Sequence, residues 1–371
     1  MRARAHNRQT LAVSSQQLIV TGDIYHVERT PLQFWHTEQQ FQGFGAQRAV
    51  FGGEQDYARV FHLILALRFA DARTAAAYPL ECHGQLDWQV TDSIHKARIK
   101  LPEIPAGAIL VPSLALVSDD DYRFQFVLKL GASRWALRPV PCESAPEPET
   151  NPAVSTHIDC FHVHEAIRGA ELQIEIVGLR HASDYLVTLS ARVLDLDEIP
   201  GPTATTLCPA PPVISQMSLG KKLGPRVCSP TCITMLLAQF GKEPDLARVS
   251  AACFDPVSKL YGVWPLALRA ASRAGCLGAV EVFEDWRGPE RIIAAGLPVI
   301  ASIRFAAEGL PGAPLTASSG HLVVVHGIGP DEVLVCDPAA PDTAGVPRTY
   351  DSQSFGRAWL QHRGAAYILL P

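Results

Sequence analysis

Four residues stand in an order that suits acyl chemistry through a thiol: Gln216, Cys228, His321 and Asp337. A thiol attacks a carbonyl carbon as the thiolate, and the unpaired N–H groups and macrodipole of a helix N-terminus favour that anion. Cys228 occupies such a place. It follows the turn-forming Leu223-Gly224-Pro225, and Ser229-Pro230-Thr231 leads into a segment with Ile233, Leu236, Leu237 and Phe240 at helical spacing and Gly241 as a stop. Pro230 falls early in that helix, where a missing N–H costs nothing. A thiol needs a base, and the base an orienting acceptor. His321 follows Ser318-Ser319-Gly320 and opens the apolar strand Leu322-Val323-Val324-Val325; Asp337 ends Val333-Leu334-Val335-Cys336, immediately before Pro338. Two antiparallel strands joined at Gly329-Pro330-Asp331 would bring both side chains to one end of a hairpin. Upstream, the side-chain amide of Gln216 and the backbone N–H of Cys228 would together stabilise an oxyanion. Taken alone, Cys228 reads as one of nine small hydrophobes; its partners give the functional reading its weight.

The elements that must position these groups follow from pattern and punctuation. Helices are expected at Cys228 to Phe240, Pro265 to Ala274 and Pro289 to Ala295, and strands at Pro298 to Ile303, Leu322 to Val325, Val333 to Cys336 and Ala366 to Leu370. From about Gln47 to Asp195 the texture is strand-like, with alternation in Ala97 to Leu101, Tyr122 to Leu130, Ile158 to His164, Leu172 to Val177 and Tyr185 to Val193. Short alternating segments suggest an antiparallel sandwich or jelly roll, interrupted by a Pro/Glu-rich surface loop over Pro139 to Pro152. The prolines from Pro200 to Pro212 can neither continue a helix nor sit in a central strand. The expected organisation is therefore a β-rich domain over residues 1–200, a Pro-rich linker over 201–212 and an α+β domain over 213–371.

Composition bounds the partners. At 371 residues two cores are the natural expectation. Lys+Arg 32 against Asp+Glu 37 gives a formal charge of −5, which does not suggest a nucleic-acid partner. The most hydrophobic stretch, Ile292 to Ile303, is broken by Gly296 and Pro298 and ends against Arg304, too short to span a membrane. The N-terminus is basic, but Thr10 to Gln17 lacks the apolar core of a signal peptide. Nine scattered cysteines without a C-x-x-C knuckle fit free thiols in a reducing, cytoplasmic setting.

Five ordered motifs then carry a family likeness. Ile214-Ser215-Gln216, Cys228-Ser229-Pro230-Thr231-Cys232 with Met235-Leu236-Leu237, Tyr261-Gly262-Val263-Trp264-Pro265, Gly320-His321-Leu322-Val323-Val324 and Asp337-Pro338-Ala339-Ala340 together resemble the C39-like cysteine peptidases of bacteria. The likeness extends to Tyr350, Phe355, Ala358-Trp359-Leu360 and Ala366-Tyr367-Ile368 and covers nearly all of residues 213–371. It implies a papain-like fold, with Cys228 as nucleophile, His321 as base, Asp337 as its orienter and Gln216 as oxyanion donor. Gly320 and Trp264 are the expected substrate-binding positions; the bland reading of Trp264 is core packing. Ser229 stands where the family often has Gly, Cys232 where Ser or Ala is usual, and Cys336 where Asn often precedes Asp-Pro. The resemblance implies hydrolysis of an amide in a peptide or protein with no cofactor. An acyltransferase using the same residues and an inactive papain-fold binding module are the alternatives.

Other clusters compete. Cys160, His162 and His164 alternate as metal ligands on one strand face would, without an evident fourth ligand. Cys228 and Cys232 share a helix face at a spacing poor for a disulfide. Asp119-Asp120-Asp121 reads as a solvated turn rather than a calcium loop, and His326 as structural. No metal site is expected. Composition leaves the oligomeric state and the role of the β-rich half open.

Overall fold

The computed structural model describes residues 64–142, 151–180 and 184–371. The expected strand texture from Gln47 to residue 63 and residues 143–150 of the Pro/Glu-rich loop lie outside them. The fold is mixed α and β, mostly strands in antiparallel sheets. No helix among the described residues is long and apolar enough to cross a membrane.

The first part holds β1 (Ile64–Ala70), α1 (Ala72–Ala77), β2 (Gln89–Thr91), β3 (Ile94–Lys100), β4 (Ala108–Leu116), β5 (Arg123–Leu130), β6 (Ser133–Ala136), β7 (Val154–Thr156), β8 (Phe161–Val163), β9 (Glu171–Val177) and β10 (Tyr185–Val193). They form two five-stranded sheets, β1-β10-β4-β8-β7 and β2-β3-β9-β5-β6. Leu67, Leu110, Leu114 and Leu189 of one share a core with Ile99, Phe124, Phe126 and Ile174 of the other. In β3 burial alternates, Ala97 and Ile99 in, Arg98 and Lys100 out, as a strand with one wet face must. By contrast β4 is buried at all nine positions. Leu110 and Leu114 enter the shared core, while Ile109, Val111 and Ala115 face the C-terminal half. The opening run of β4, Ala108-Ile109-Leu110-Val111-Pro112, is apolar on both faces and holds a proline, so no alternation marks it.

Next come β11 (Thr206–Leu207), α2 (Gly220–Leu223), α3 (Cys228–Gln239), α4 (Leu246–Cys253), α5 (Trp264–Arg273), β12 (Leu277–Val282), α6 (Arg287–Ala294), β13 (Val299–Phe305), β14 (Ser318–Ile328), β15 (Glu332–Cys336), β16 (Pro347–Asp351), α7 (Ser352–Trp359) and β17 (Ala365–Leu370). The sheet runs β12-β17-β13-β14-β15-β16, with β11 beside β14. Alternate residues feed two cores. Ala279, Ala301, Val323 and Ile368 pack with Ile292 of α6 and Phe355 of α7, whereas Val280, Ile300, Val324 and Tyr367 pack with Ile233 and Leu237 of α3 and Leu268 of α5. Helix α3 is buried without a break from Ser229 to Leu237.

The Pro-rich segment lies along this sheet: Thr206 pairs with Ile328 and Leu207 with Gly327 of β14. The two halves meet through charge buried at their contact. Glu281 of β12, 1% exposed, accepts from Arg68 Nε at 2.5 Å and Nη2 at 2.8 Å and from the Tyr78 hydroxyl at 2.9 Å. The Arg192 guanidinium donates to the carbonyls of Phe283, Leu360 and His362. Arg138 pairs with Asp255 at 3.0 Å.

Candidate active site

Cys228 is the first residue of α3 and half-buried. The preceding Val227 has no side chain able to cap the helix, so the N–H groups of the first turn are not consumed by one. Burial pushes the Cys228 thiol up, but a hydrogen bond with His321, the His321 charge, and the Leu322 and Ser229 N–H groups outweigh it; the net is a thiol below its ordinary range.

His321 is carried by β14, opposite Ile303 of β13, where the pairing slips register before Phe305 meets Ser318. Bulges of this kind bend a strand and re-aim its side chains. The ring is 2% exposed. Burial disfavours its charge, yet hydrogen bonds to Asp337 and Cys228 raise it to about 10. The thiol and the imidazole are thus displaced in opposite directions, each by its contact with the other.

Asp337 follows β15 directly, with Cys336 paired to Val324 of β14 and Pro347 of β16. Its own N–H is tied to the Val346 carbonyl at 2.8 Å. Oδ1 receives His321 Nε2–H at 2.8 Å and the Ala339 N–H at 2.9 Å; Oδ2 receives the Tyr350 hydroxyl at 2.8 Å. Burial raises this carboxyl, and these donors with the His321 charge bring it below its usual range. With Nε2 held by Asp337, Nδ1 is the ring nitrogen left for the thiol.

Gln216 opens a 3₁₀ turn over Gln216–Leu219 that Ser215 caps. Its N–H donates to the Pro338 carbonyl at 2.9 Å, and the Ser215 hydroxyl donates to the Ala340 carbonyl at 2.6 Å, so this turn is fastened to the residues just past Asp337. Gln216 is 3% exposed, and its Oε1 is buried without a hydrogen-bond partner. Gly224 lets the turn before α3 approach closely: a Cβ there would lie 3.0 Å from the Gln216 carbonyl oxygen and the Met217 Cα.

The two expected substrate-binding positions differ. Gly320 is exposed beside His321, and a Cβ there would meet nothing within 4 Å. Trp264 is 5% exposed in the core with Ala267 and Leu268, and its backbone N–H donates to the Asp159 carboxylate of the β-rich half at 3.2 Å. Cys232, one turn beyond Cys228, donates to the Leu322 carbonyl at 3.3 Å, and burial holds its thiol well above the usual range. Cys160 is 2% exposed in the α3–α5 core, the His162 ring lies tilted against His157 with centroids 3.9 Å apart, and His164 bonds Ser155 at 2.7 Å. No group of three or more potential ligands is placed to hold a metal among the described residues. Asp120 is taken by Arg180, and Asp121 by Arg269 and Arg273. Tyr350 entered the sequence reading only through the family likeness; no spacing signal ties it to Asp337, because its approach is set by strand register.

Residues 211–367 match the model of the Peptidase_C39 like family. The C39-like segment thus runs from the Pro-rich stretch through α3 and the hairpin of His321 and Asp337 into β17. Among solved structures, a double glycine motif protease from an AMS/PCAT transporter, in complex with the leader peptide, is 21% identical to this chain. The alignment covers 45% of this chain and 94% of that one, with a TM-score of 0.32. No curated protein matches.

Proposed function

We propose that the chain is a cysteine peptidase whose C39-like segment cleaves an amide bond of a peptide or protein through an acyl-enzyme on Cys228. The Cys228 thiolate adds to the carbonyl carbon, and the resulting oxyanion is met by the Cys228 N–H and the Gln216 amide. Collapse breaks the C–N bond as the imidazolium of His321 gives its proton to the leaving amine. Water then adds to the thioester, His321 takes the water's proton, and the acid departs as the thiolate re-forms. Asp337 holds the ring in one tautomer throughout. The two N-terminal sheets are read as an accessory sandwich domain fixed to this segment. We place the protein in a reducing compartment such as the cytoplasm, as cysteines that form no disulfide with one another suggest.

The observation that carries the reading is the buried Asp337–His321 pair at 2.8 Å beside a thiol that His321 lowers. The test is intact-mass spectrometry after brief exposure to iodoacetamide at about pH 6 to 7, below the free-thiol range. Rapid single labelling that vanishes in Cys228→Ala and slows in His321→Ala is expected. Slow labelling spread over several cysteines, the same in all three proteins, would sink the enzyme reading.

A further inference from the structure

Asp337 is 1% exposed and must satisfy a full negative charge without solvent. Its Oδ1 has two donors, His321 and Ala339; its Oδ2 is reached by Tyr350, at 2.8 Å. Tyr350 is itself 1% exposed. On β16 it sits opposite Val333, and its ring stacks on Phe355 of α7 at 5.9 Å and 14° between planes. Strand register and helix packing therefore fix the ring, and the hydroxyl has one acceptor to serve. A phenol placed only for packing would need no partner if it were phenylalanine; a buried O–H aimed at the orienting carboxylate does electrostatic work.

We propose that Tyr350 is a positioning residue of the peptidase site, donating to Asp337 so that the triad as a whole keeps its net negative charge near neutral pH. This rests on the cysteine peptidase reading above. In the working state Cys228 is thiolate, His321 imidazolium and Asp337 carboxylate, a net charge of −1. Adding a proton anywhere in that set gives a net charge of zero, and the Tyr350 dipole favours the charged state over the neutral one wherever the proton lands. Removing the hydroxyl therefore raises the pH at which the triad takes up that proton. The other groups facing it are Cys232 of α3, Cys336 of β15, Arg348 of β16 and the Tyr367 phenol of β17, which burial holds well above its usual range. Burial and the Asp337 charge raise the Tyr350 phenol, opposed by Arg348, and burial raises both thiols, so phenol and thiols stay neutral across the range that matters.

The experiment reads the pH dependence of Cys228 alkylation by iodoacetamide, which needs no knowledge of the substrate, in wild type, Tyr350→Phe and a protein with 3-fluorotyrosine inserted at position 350 alone. One charge-assisted hydrogen bond predicts that the alkylation midpoint rises by about one pK unit in Tyr350→Phe, so the rate at a pH below both midpoints falls about tenfold. The fluorinated ring, a stronger donor of almost the same shape, moves the midpoint the other way. Unchanged midpoints in both, with wild type labelled rapidly at Cys228, would overturn the role of Tyr350 and leave the peptidase reading standing. Wild type without selective labelling would overturn both. If Tyr350→Phe fails to fold by circular dichroism, the fluorotyrosine protein decides alone: a merely structural ring moves no midpoint.

Discussion

Replacing Glu281 tests whether the β-rich half is fixed to the C-terminal half. Its carboxylate, 1% exposed, is held by two Arg68 nitrogens, the Tyr78 hydroxyl and, at 3.3 Å, the Ser190 hydroxyl. Burial alone would weaken Arg68's hold on its proton; the Glu281 charge and hydrogen bond raise it above its ordinary value, so the guanidinium depends on that carboxylate. Arg68 is only 12% exposed, and Glu281→Ala leaves it charged, buried and without its counter-ion. Removing one partner of a buried pair costs about 3–5 kcal/mol. An exposed pair would cost only about 0–1 kcal/mol. Replacing both ions with apolar residues of similar volume is often neutral, so Arg68→Met with Glu281→Leu should recover most of the loss. The assay is urea unfolding of the three variants and wild type, followed by circular dichroism and tryptophan fluorescence. Coincident transitions and a strong coupling in the double-mutant cycle are expected. A loss below about 1 kcal/mol in Glu281→Ala, or two separated transitions in wild type, would refute the buried junction.

Three further outcomes are expected, two at the site and one in the packing beside β17. Because Asp337 is held below its usual range, the stability it adds is present above the unfolded carboxyl value of 3.8 and is lost as pH falls through its own lower value. Asp337→Asn should accordingly be less stable than wild type at pH 7, and the gap in urea midpoint should close as pH falls below that window. Gly224→Val drives a side chain against the Gln216 turn; on the proposed peptidase reading, in which Gln216 donates to the oxyanion, kcat should fall by about a hundredfold or more, while alkylation of Cys228 stays near the wild-type rate. Equal losses in both assays would mean that Gly224 serves the thiol instead. Gly364 has φ +61°, and a Cβ there would lie 1.9 Å from the Phe283 carbonyl oxygen; Gly364→Ala should yield little soluble protein, and a normal yield with an unchanged urea midpoint would contradict that packing.

Much of this protein is legible from local chemistry. The helix starting at Cys228 shows in its apolar spacing and in Pro230; β10 shows from Tyr185 to Val193, and the hairpin of β14 and β15 shows as two apolar runs about a turn. Helices α4 and α7 went unread although Asp245 and Asp351 cap them, since their apolar faces are short and interrupted. Strand β4 is silent because its opening run is apolar at every position, whereas β10, likewise covered, alternates through Thr188, Ser190 and Arg192. Sequence by itself determined which groups are available and that Cys228, His321 and Asp337 come in a workable order, because residue type and local spacing decide what a thiol, an imidazole and a carboxylate can do. Only the tertiary structure decided that Tyr350 completes the shell of Asp337, that Trp264 lies in the core, and that Arg68 meets Glu281 across 213 residues. Those contacts depend on strand register and sheet stacking between distant segments, and no local period encodes them.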